Sequence, residues 1–260
     1  MEYKLTKQIV RVGNSAGVLL PKEWLHGMAI VELVNKPTNI RKEVMEIIND
    51  SLVEVMGVYL TGSYARGEET PRSDVDIVVI TNTLNKRIIK GKYNIIFISK
   101  EKAENALENN ILPLLPMLKE AKAIINQDLM TSLIKTPLTK RNLSYYIETT
   151  TSAISVIKSF IELNKLSDSA CSDSIAYSLI LRLRSFYIVD CLIKNKFWSN
   201  AELIKIIKHV SGLTTAYEGY LRVKDREKEK EMLTTAEAEK ILKYVKEGVK
   251  RHAAWLTKIK

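Results

Sequence analysis

The residues with the clearest chemical potential lie between Gly62 and Asp76. Gly62 and Ser63 end an apolar run, Gly67 follows soon after, and the carboxylates Asp74 and Asp76 close the segment. Because side chains alternate along a strand, carboxylates at this spacing project from one face and repel each other. Mg²⁺ typically binds one or two carboxylates together with substrate phosphates. The segment therefore predicts a site for a divalent cation, Mg²⁺ or Mn²⁺.

The glycine-serine turn predicts a neighbouring phosphate site. Backbone N–H groups of Gly62 and Ser63 can bind a phosphate where a turn leads into a helix. An Asp-x-Asp pair alone is common on solvated strand edges. Here the turn and the acids lie between two strand-like apolar runs, residues 55–60 and 77–80, which favours the functional interpretation.

Gly62-Ser63, Gly67 and the run from Ser73 to Asp76 resemble the signature of the DNA polymerase β-like nucleotidyltransferases in its minimal form. The resemblance extends over roughly residues 40–100. It implies that the turn holds a nucleoside triphosphate and that the two aspartates hold Mg²⁺. It also implies attack by an acceptor hydroxyl on the α-phosphorus, with pyrophosphate leaving.

The candidate site residues follow from this resemblance. The catalytic and metal-binding residues are Asp74 and Asp76, and the nucleotide-binding residues are Gly62, Ser63, Arg66 and Ser73. Arg66 and Ser73 are the weaker candidates among them.

The position of the family's usual third carboxylate, on the next core strand, leaves two interpretations open. Residues 93–98 predict that strand, and the expected position is Asn94. An amide adds no negative charge and cannot act as a base at neutral pH. Glu101 lies past the strand and could substitute only if the loop folds back. The chain is either a catalytic transferase or a DNA-binding regulator, or antitoxin-like protein, with a degenerate nucleotide-sensing domain.

Residues 1–38 predict a separate unit. Residues 5–12 are strand-like, residues 13–17 are rich in turn formers, residues 21–25 suit a short helix with Pro in its first turn, and residues 30–34 suggest a last strand. A segment of this size cannot bury a core alone. A second copy of the chain is the simplest partner, so we expect a homodimer.

Gly13-Asn14-Ser15 and the Pro21-Lys22 step resemble the swapped-hairpin domain of AbrB/MazE-like proteins. The resemblance implies two interleaved chains and DNA binding, with dimerisation alone as the alternative. The candidate DNA-binding residues are Lys4, Lys7, Arg11 and Lys22.

Charge and apolar spacing organise the rest of the chain. The net charge is +10, and residues 131–260 contain 23 basic and 14 acidic residues. Such a surface attracts polyanions, or serves as a solvated helical face. The pattern resembles a helical substrate-side domain that follows a nucleotidyltransferase domain at residues 39–130. The three parts together predict an α+β fold.

Two cysteines, Cys171 and Cys191, lack Cys-x-x-Cys spacing, which argues against a disulfide scaffold or a zinc site. The N-terminus lacks an apolar signal segment, and no stretch of about 18 apolar residues occurs, so the sequence predicts a cytoplasmic protein without membrane contact.

Overall fold

The computed structural model describes residues 5, 7, 9–31, 39–71 and 73–258. The chain divides into two compact units, Met1–Ile40 and Arg41–Lys260. A small hairpin, a central mixed sheet and a set of C-terminal helices confirm the predicted α+β class. The predicted boundary at residue 130 stays a prediction.

The first unit is a β-hairpin followed by one helical turn. Strands β1 (Ile9–Val12) and β2 (Ser15–Val18) pair in antiparallel fashion. Gly13 in their connection has a φ of 57°, a left-handed conformation that suits a two-residue hairpin loop. A short 3-10 turn at Lys22–Trp24 follows.

The turn-rich segment predicted over residues 13–17 is therefore mostly strand. At the end of the unit, Ile30 and Val31 belong to no strand, in contrast to the prediction, and residues 32–34 lie outside the described residues.

The second unit contains a five-stranded sheet in the order β5-β6-β4-β3-β7. The strands are β3 (Val55–Thr61), β4 (Val75–Thr81), β5 (Lys86–Lys90), β6 (Tyr93–Ser99) and β7 (Lys122–Ile125). β4 and β6 are parallel, and the other neighbouring pairs are antiparallel. The basic segment at residues 86–90 forms the edge strand β5, which the sequence analysis did not predict. Lysines protect such an edge because they oppose pairing with another chain.

Ten α-helices, a 3-10 helix (Asn49–Glu54) and two short strands complete the described part of the second unit and its boundary. The helices are α1 (Ile40–Ile48), α2 (Gly62–Arg66), α3 (Lys100–Asn109), α4 (Leu115–Glu120), α5 (Gln127–Ile134), α6 (Lys140–Leu166), α7 (Asp173–Ile193), α8 (Asn200–Ser211), α9 (Thr215–Lys224) and α10 (Thr235–Leu256). Strands β8 (Cys171–Ser172) and β9 (Glu231–Leu233) pair with each other. None of the helices in the described ranges has the length and apolarity needed to cross a bilayer.

Side-chain caps mark the beginnings of α8 and α10. Ser199 Oγ accepts a hydrogen bond from Glu202 N at 3.1 Å, and Thr234 Oγ1 accepts one from Glu237 N at 3.2 Å. Each cap satisfies a backbone donor that the helix itself leaves unpaired.

One continuous apolar core joins the sheet to the C-terminal helices. Tyr59 and Val78 of the sheet belong to the same buried cluster as Leu143 of α6, Leu179 of α7 and Ile241 of α10. Burial of this kind contributes about 25 cal/mol for each Å² of apolar surface. The core therefore fixes the helices against the sheet that carries the candidate acids.

A buried ion pair sets the position of α9. Asp173, whose side chain is 1% exposed, accepts hydrogen bonds from Arg222 Nε at 2.7 Å, Arg222 Nη2 at 2.8 Å and Lys230 N at 2.8 Å. The Arg222 hydrogen bonds hold the pKa of Asp173 below its ordinary value. Breaking such a pair leaves an uncompensated buried charge, which costs about 3–5 kcal/mol. The clamp therefore also fixes Lys224, the last residue of α9.

Candidate active site

Asp76 and the turn at Gly62 are in direct contact. Gly62 follows β3 with a φ of 72°, and a Cβ at this residue would lie 2.7 Å from Asp76 Oδ2. A hydrogen bond from Thr61 Oγ1 to Asp76 O, at 3.2 Å, supports the same contact. Glycine is therefore required for both its backbone conformation and its lack of a side chain. The two halves of the predicted site meet at this point.

Asp74 lies immediately before β4 and not within it, because the strand begins at Val75. Its side chain is exposed, whereas Asp76 is half-buried. Burial raises the pKa of Asp76, the hydrogen bond from Asn94 lowers it, and the charges of Asp74 and Glu120 raise it. Two carboxylates that disfavour each other's charge are a suitable pair of ligands for a cation.

The donor set fits an ion that shares its coordination with a substrate. Within the described ranges, no group of three or more His, Cys, Asp or Glu residues could hold a metal. Mg²⁺ commonly uses one or two carboxylates, with water and substrate phosphates as its other ligands. Asp74 and Asp76 are the candidate protein ligands of such an arrangement.

Asn94 lies where the sequence predicted the third acid. It is directly opposite Asp76 in the parallel pairing of β6 with β4. Asn94 Nδ2 donates to Asp76 Oδ1 at 2.7 Å, and Asn94 Oδ1 accepts from Arg87 Nε at 2.7 Å. A guanidinium can only donate, so Arg87 fixes which end of the amide faces Asp76. Asp76 therefore faces a neutral hydrogen-bond donor.

Glu101 is too far along the chain to replace that acid. It lies exposed in the first turn of α3, beyond the carboxyl end of β6, whereas Asn94 lies at the amino end. Asn94 and Ser99 are five residue steps apart along the strand, which corresponds to roughly 17 Å.

The predicted phosphate-binding serines differ in whether their hydroxyl groups already make hydrogen bonds. Ser63 is half-buried in α2, and its hydroxyl makes no hydrogen bond to any other described residue. Ser73 Oγ accepts from Thr70 N at 2.8 Å, so this hydroxyl closes a local turn. Ser63 is thus the side chain with capacity for a ligand.

Arg66 is held by two carboxylates. Arg66 Nε lies 2.8 Å from Glu68 Oε2, and Arg66 Nη1 lies 2.6 Å from Glu120 Oε2. The arginine side chain is only 11% exposed. Its guanidinium therefore contacts neighbouring acids in place of a phosphate.

Glu120, at the end of α4, is a site residue that the sequence analysis missed. It accepts hydrogen bonds from Gly62 N at 2.8 Å and from Trp198 Nε1 at 2.8 Å, in addition to Arg66. The Gly62 N–H that was predicted to hold phosphate is thereby engaged. No local motif marks Glu120, because its partners lie far from it in sequence.

Helix α9 brings a cation and aromatic rings to the same region. Lys224 is exposed, and its positive charge lowers the pKa of Asp76. Tyr220 stacks on Tyr177 with a centroid distance of 5.4 Å and on Tyr217 at 5.8 Å. Arg184 Nη1 donates to Tyr220 Oη at 3.3 Å. In the sequence these residues could equally contact a nucleotide or an acceptor, or lie on an ordinary bundle surface, because no local motif distinguishes the two roles.

The candidate DNA-binding residues of the first unit are exposed where they are described. Lys7, Arg11 and Lys22 face solvent, and Arg11 Nε donates to Gly13 O at 2.9 Å. Lys4 lies outside the described residues.

Comparison with known proteins gives one informative match. Residues 40–135 match a family model described as "Nucleotidyltransferase domain". Comparison with curated proteins gives no match.

Two solved structures are similar to this chain at 14% identity. One is a nucleotidyltransferase-like protein from Exiguobacterium sibiricum 255-15, with a TM-score of 0.39 over 85% of this chain and 78% of the other. The second is spectinomycin adenyltransferase AAD(9) from Enterococcus faecialis with ATP and spectinomycin, with a TM-score of 0.44 over 82% of this chain and 100% of the other. These likenesses are too distant to add to the assignment. Residues 40–135 are thus similar to a nucleotidyltransferase domain, in agreement with the enzyme class predicted from the sequence.

Proposed function

We propose that this chain transfers a nucleoside monophosphate from a nucleoside triphosphate to an acceptor, with Mg²⁺ or Mn²⁺ bound by Asp74 and Asp76. The observation that carries the proposal is the contact between the Gly62 turn and Asp76 Oδ2, within the segment that matches a nucleotidyltransferase domain. A phosphate site and a carboxylate pair must lie together for this reaction, and the contact supports that requirement.

The chain's residues divide the work between binding and positioning. Ser63 contributes a free hydroxyl to the triphosphate. Asn94 orients Asp76 by donating a hydrogen bond from Nδ2 to Asp76 Oδ1. When bound, the cation supplies positive charge that stabilises the charge developing on the phosphate oxygens. Ser73 and Arg66 support the site indirectly in this proposal. Ser73 stabilises a local turn, and Arg66 holds Glu120 in position.

The first unit supports a homodimer. None of its described residues is buried, and Leu19, Leu25 and Ile30 are 68%, 64% and 100% exposed. Apolar side chains at this density need a partner surface. We assign that surface to a second copy of the chain, with DNA as a further ligand of Lys4, Lys7, Arg11 and Lys22.

A second candidate function is a DNA-binding regulator that senses a nucleotide without turning it over. The observation that favours it is the neutral amide of Asn94 opposite Asp76. A site with one acid fewer can bind a nucleotide and cation while lacking a base.

The direct test uses α-labelled nucleoside triphosphates with Mg²⁺ or Mn²⁺. Asp76→Asn should reduce metal-dependent nucleotide binding and label transfer by about 100-fold, because it removes one of two charged ligands. Asp128→Asn, at an exposed position in α5, is the matched control and should leave both unchanged. Equal behaviour of the two variants would refute the assignment.

The regulator predicts a different pair of results. Nucleotide binds without transfer, and a salt-dependent shift of DNA mobility disappears in Arg11→Ala. Label transfer that depends on Asp76 would exclude it.

A further inference from the structure

We propose that the acceptor attacks through an oxygen that is already anionic at neutral pH, as in a phosphate monoester or a carboxylate, and not through a hydroxyl. This inference rests on the proposed function, because it concerns the second substrate of the same site. It follows from the groups that surround Asp76.

The first step concerns the missing proton acceptor. A hydroxyl that attacks phosphorus must lose its proton, and a carboxylate on the strand beside Asp76 would accept it. Asn94 occupies that position, and Arg87 holds its amide so that Nδ2 faces Asp76. An amide N–H₂ group cannot accept a proton.

The second step concerns the other nearby carboxylates. Glu120 has both oxygens engaged, with Gly62 N on Oε1 and with Arg66 Nη1 and Trp198 Nε1 on Oε2. Its side chain is 8% exposed, which restricts access by a substrate. Asp74 and Asp76 serve the cation in the proposed function. Each described carboxylate whose charge acts on Asp76 is therefore already engaged, Glu120 by hydrogen-bond donors and Asp74 by the cation.

The third step concerns the cations at this place. Arg87 is an exposed residue of the edge strand β5. The two terminal nitrogens of its side chain make no hydrogen bond or ion pair with other described residues. Lys224 is an exposed residue of α9 whose positive charge acts on Asp76. A guanidinium with free nitrogens matches the planar geometry of carboxylate and phosphate oxygens. These charges attract an anionic acceptor and oppose a cationic one.

The reaction balances without a base. An anionic oxygen of the acceptor forms a bond to the α-phosphorus, while the bond from that phosphorus to the oxygen bridging it to the β-phosphorus breaks. The electron pair leaves with pyrophosphate, and no proton has to be removed from the acceptor. The product is an anhydride: a phosphoanhydride from a phosphate, or an acyl phosphate from a carboxylate.

The experiment compares acceptors that differ in one group. The full chain is incubated with α-labelled triphosphates and Mg²⁺, and with glucose 6-phosphate or glucose, and acetate or ethanol. We expect transfer to the anionic member of a pair to be at least tenfold faster. Hydroxylamine distinguishes the two anionic classes, because it cleaves an acyl phosphate and leaves a phosphoanhydride intact.

Two variants test the residues behind the inference. Asn94→Asp should raise transfer to the hydroxyl acceptors at least tenfold and tighten Mn²⁺ binding, which electron paramagnetic resonance measures without any acceptor. Arg87→Gln should slow transfer to the anionic acceptors about tenfold while nucleotide binding stays within twofold. The controls are Asn82→Asp and Arg41→Gln, both at exposed positions.

Three outcomes would overturn the inference. The first is transfer by the unmodified chain to the hydroxyl acceptors at an equal or faster rate. The second is metal-dependent nucleotide binding with no transfer to any acceptor, which leaves a nucleotide-binding regulator. The third is that neither the unmodified chain nor Asp76→Asn binds a nucleotide, a result that would also refute the proposed function.

Discussion

At the scale of single residues, the candidate site depends on how closely Gly62 approaches Asp76. The glycine has a left-handed φ, and its Cα faces Asp76 Oδ2 without space for a methyl group. Gly67, at the other end of α2, has a similar φ of 70°, but a Cβ there would meet nothing within 4 Å. A comparison of substitutions at the two glycines therefore separates the effect of backbone strain from the effect of contact with Asp76.

We predict that Gly62→Ala and Gly67→Ala each lower the free energy of unfolding by about 1–2 kcal/mol, because both place a Cβ in the left-handed region. Only Gly62→Ala should weaken Mn²⁺ and nucleotide binding, by about tenfold or more, since it displaces Asp76. Urea unfolding and Mn²⁺ titration measure the two effects. Equal binding by both variants would show that the contact does not matter.

Local spacing explains why some site residues could be predicted and others could not. Asp76 was predicted from its spacing within the local motif, and the position of Asn94 was implied by the family resemblance, which places an acid on the next core strand. The two residues are directly opposite each other in the sheet. Glu120 and Trp198 meet only through the fold of the second unit. Nothing in either local sequence distinguishes them from ordinary helix-end and core residues.

At the scale of elements, His252 marks the junction of α6, α7 and α10. It is 4% exposed, it lies 3.1 Å from Tyr146 Oη through Nδ1, and it stacks on Phe186 at 4.9 Å. Its Nε2 atom is 3.7 Å from Asp190 Oδ1, beyond hydrogen-bond distance. Burial lowers the pKa of His252 to about 4, although the charge of Asp190 opposes the shift. The junction is therefore built around a neutral imidazole.

This burial predicts a dependence of stability on pH. An unfolded histidine has a pKa of about 6.5, so between about pH 4 and 6.5 the unfolded state binds more protons than the folded state. The free energy of unfolding should therefore fall as the pH is lowered through this range. His252→Gln should flatten the dependence, whereas His209→Gln, at an exposed residue of α8, should preserve it. Urea unfolding of both variants at several pH values measures how the free energy of unfolding of each depends on pH.

Most elements of the second unit could be predicted because their signals are local. Ser199 and Thr234 each precede a helix with the capping spacing, and both side chains accept the capping hydrogen bond. The edge strand β5 was missed because its lysines are typical of an exposed loop. Its two apolar residues, Ile88 and Ile89, were outweighed by the surrounding charge. The pairing with β6 that makes this segment a strand cannot be read from its own residues.

At the scale of the whole molecule, the two compact units differ in how much they bury. The described residues of Met1–Ile40 include none that is buried, whereas the second unit has a continuous core. The smaller unit therefore needs a surface from outside itself, and self-association is the proposed source.

We predict that deletion of residues 1–38 converts a dimer into a monomer, because it removes the exposed apolar residues of the first unit. Sedimentation velocity of the full chain and of the deletion measures the change. The full chain with Asp76→Asn should remain a dimer and serves as the control. A deletion that still sediments as a dimer would move the interface to the second unit.

The three hydrogen bonds to Glu120 have a consequence for any attempt to excise the catalytic module. A fragment that stopped at residue 135 would keep Gly62 and Arg66 but lose the indole of Trp198, and Glu68 would lose its bond to Asn200 N at 3.1 Å. The same cut would remove α6, α7 and α10, which contribute Leu143, Leu179 and Ile241 to the apolar core shared with the sheet. We therefore expect the smallest fragment that folds by itself to extend beyond the matched residues 40–135 and into the C-terminal helices.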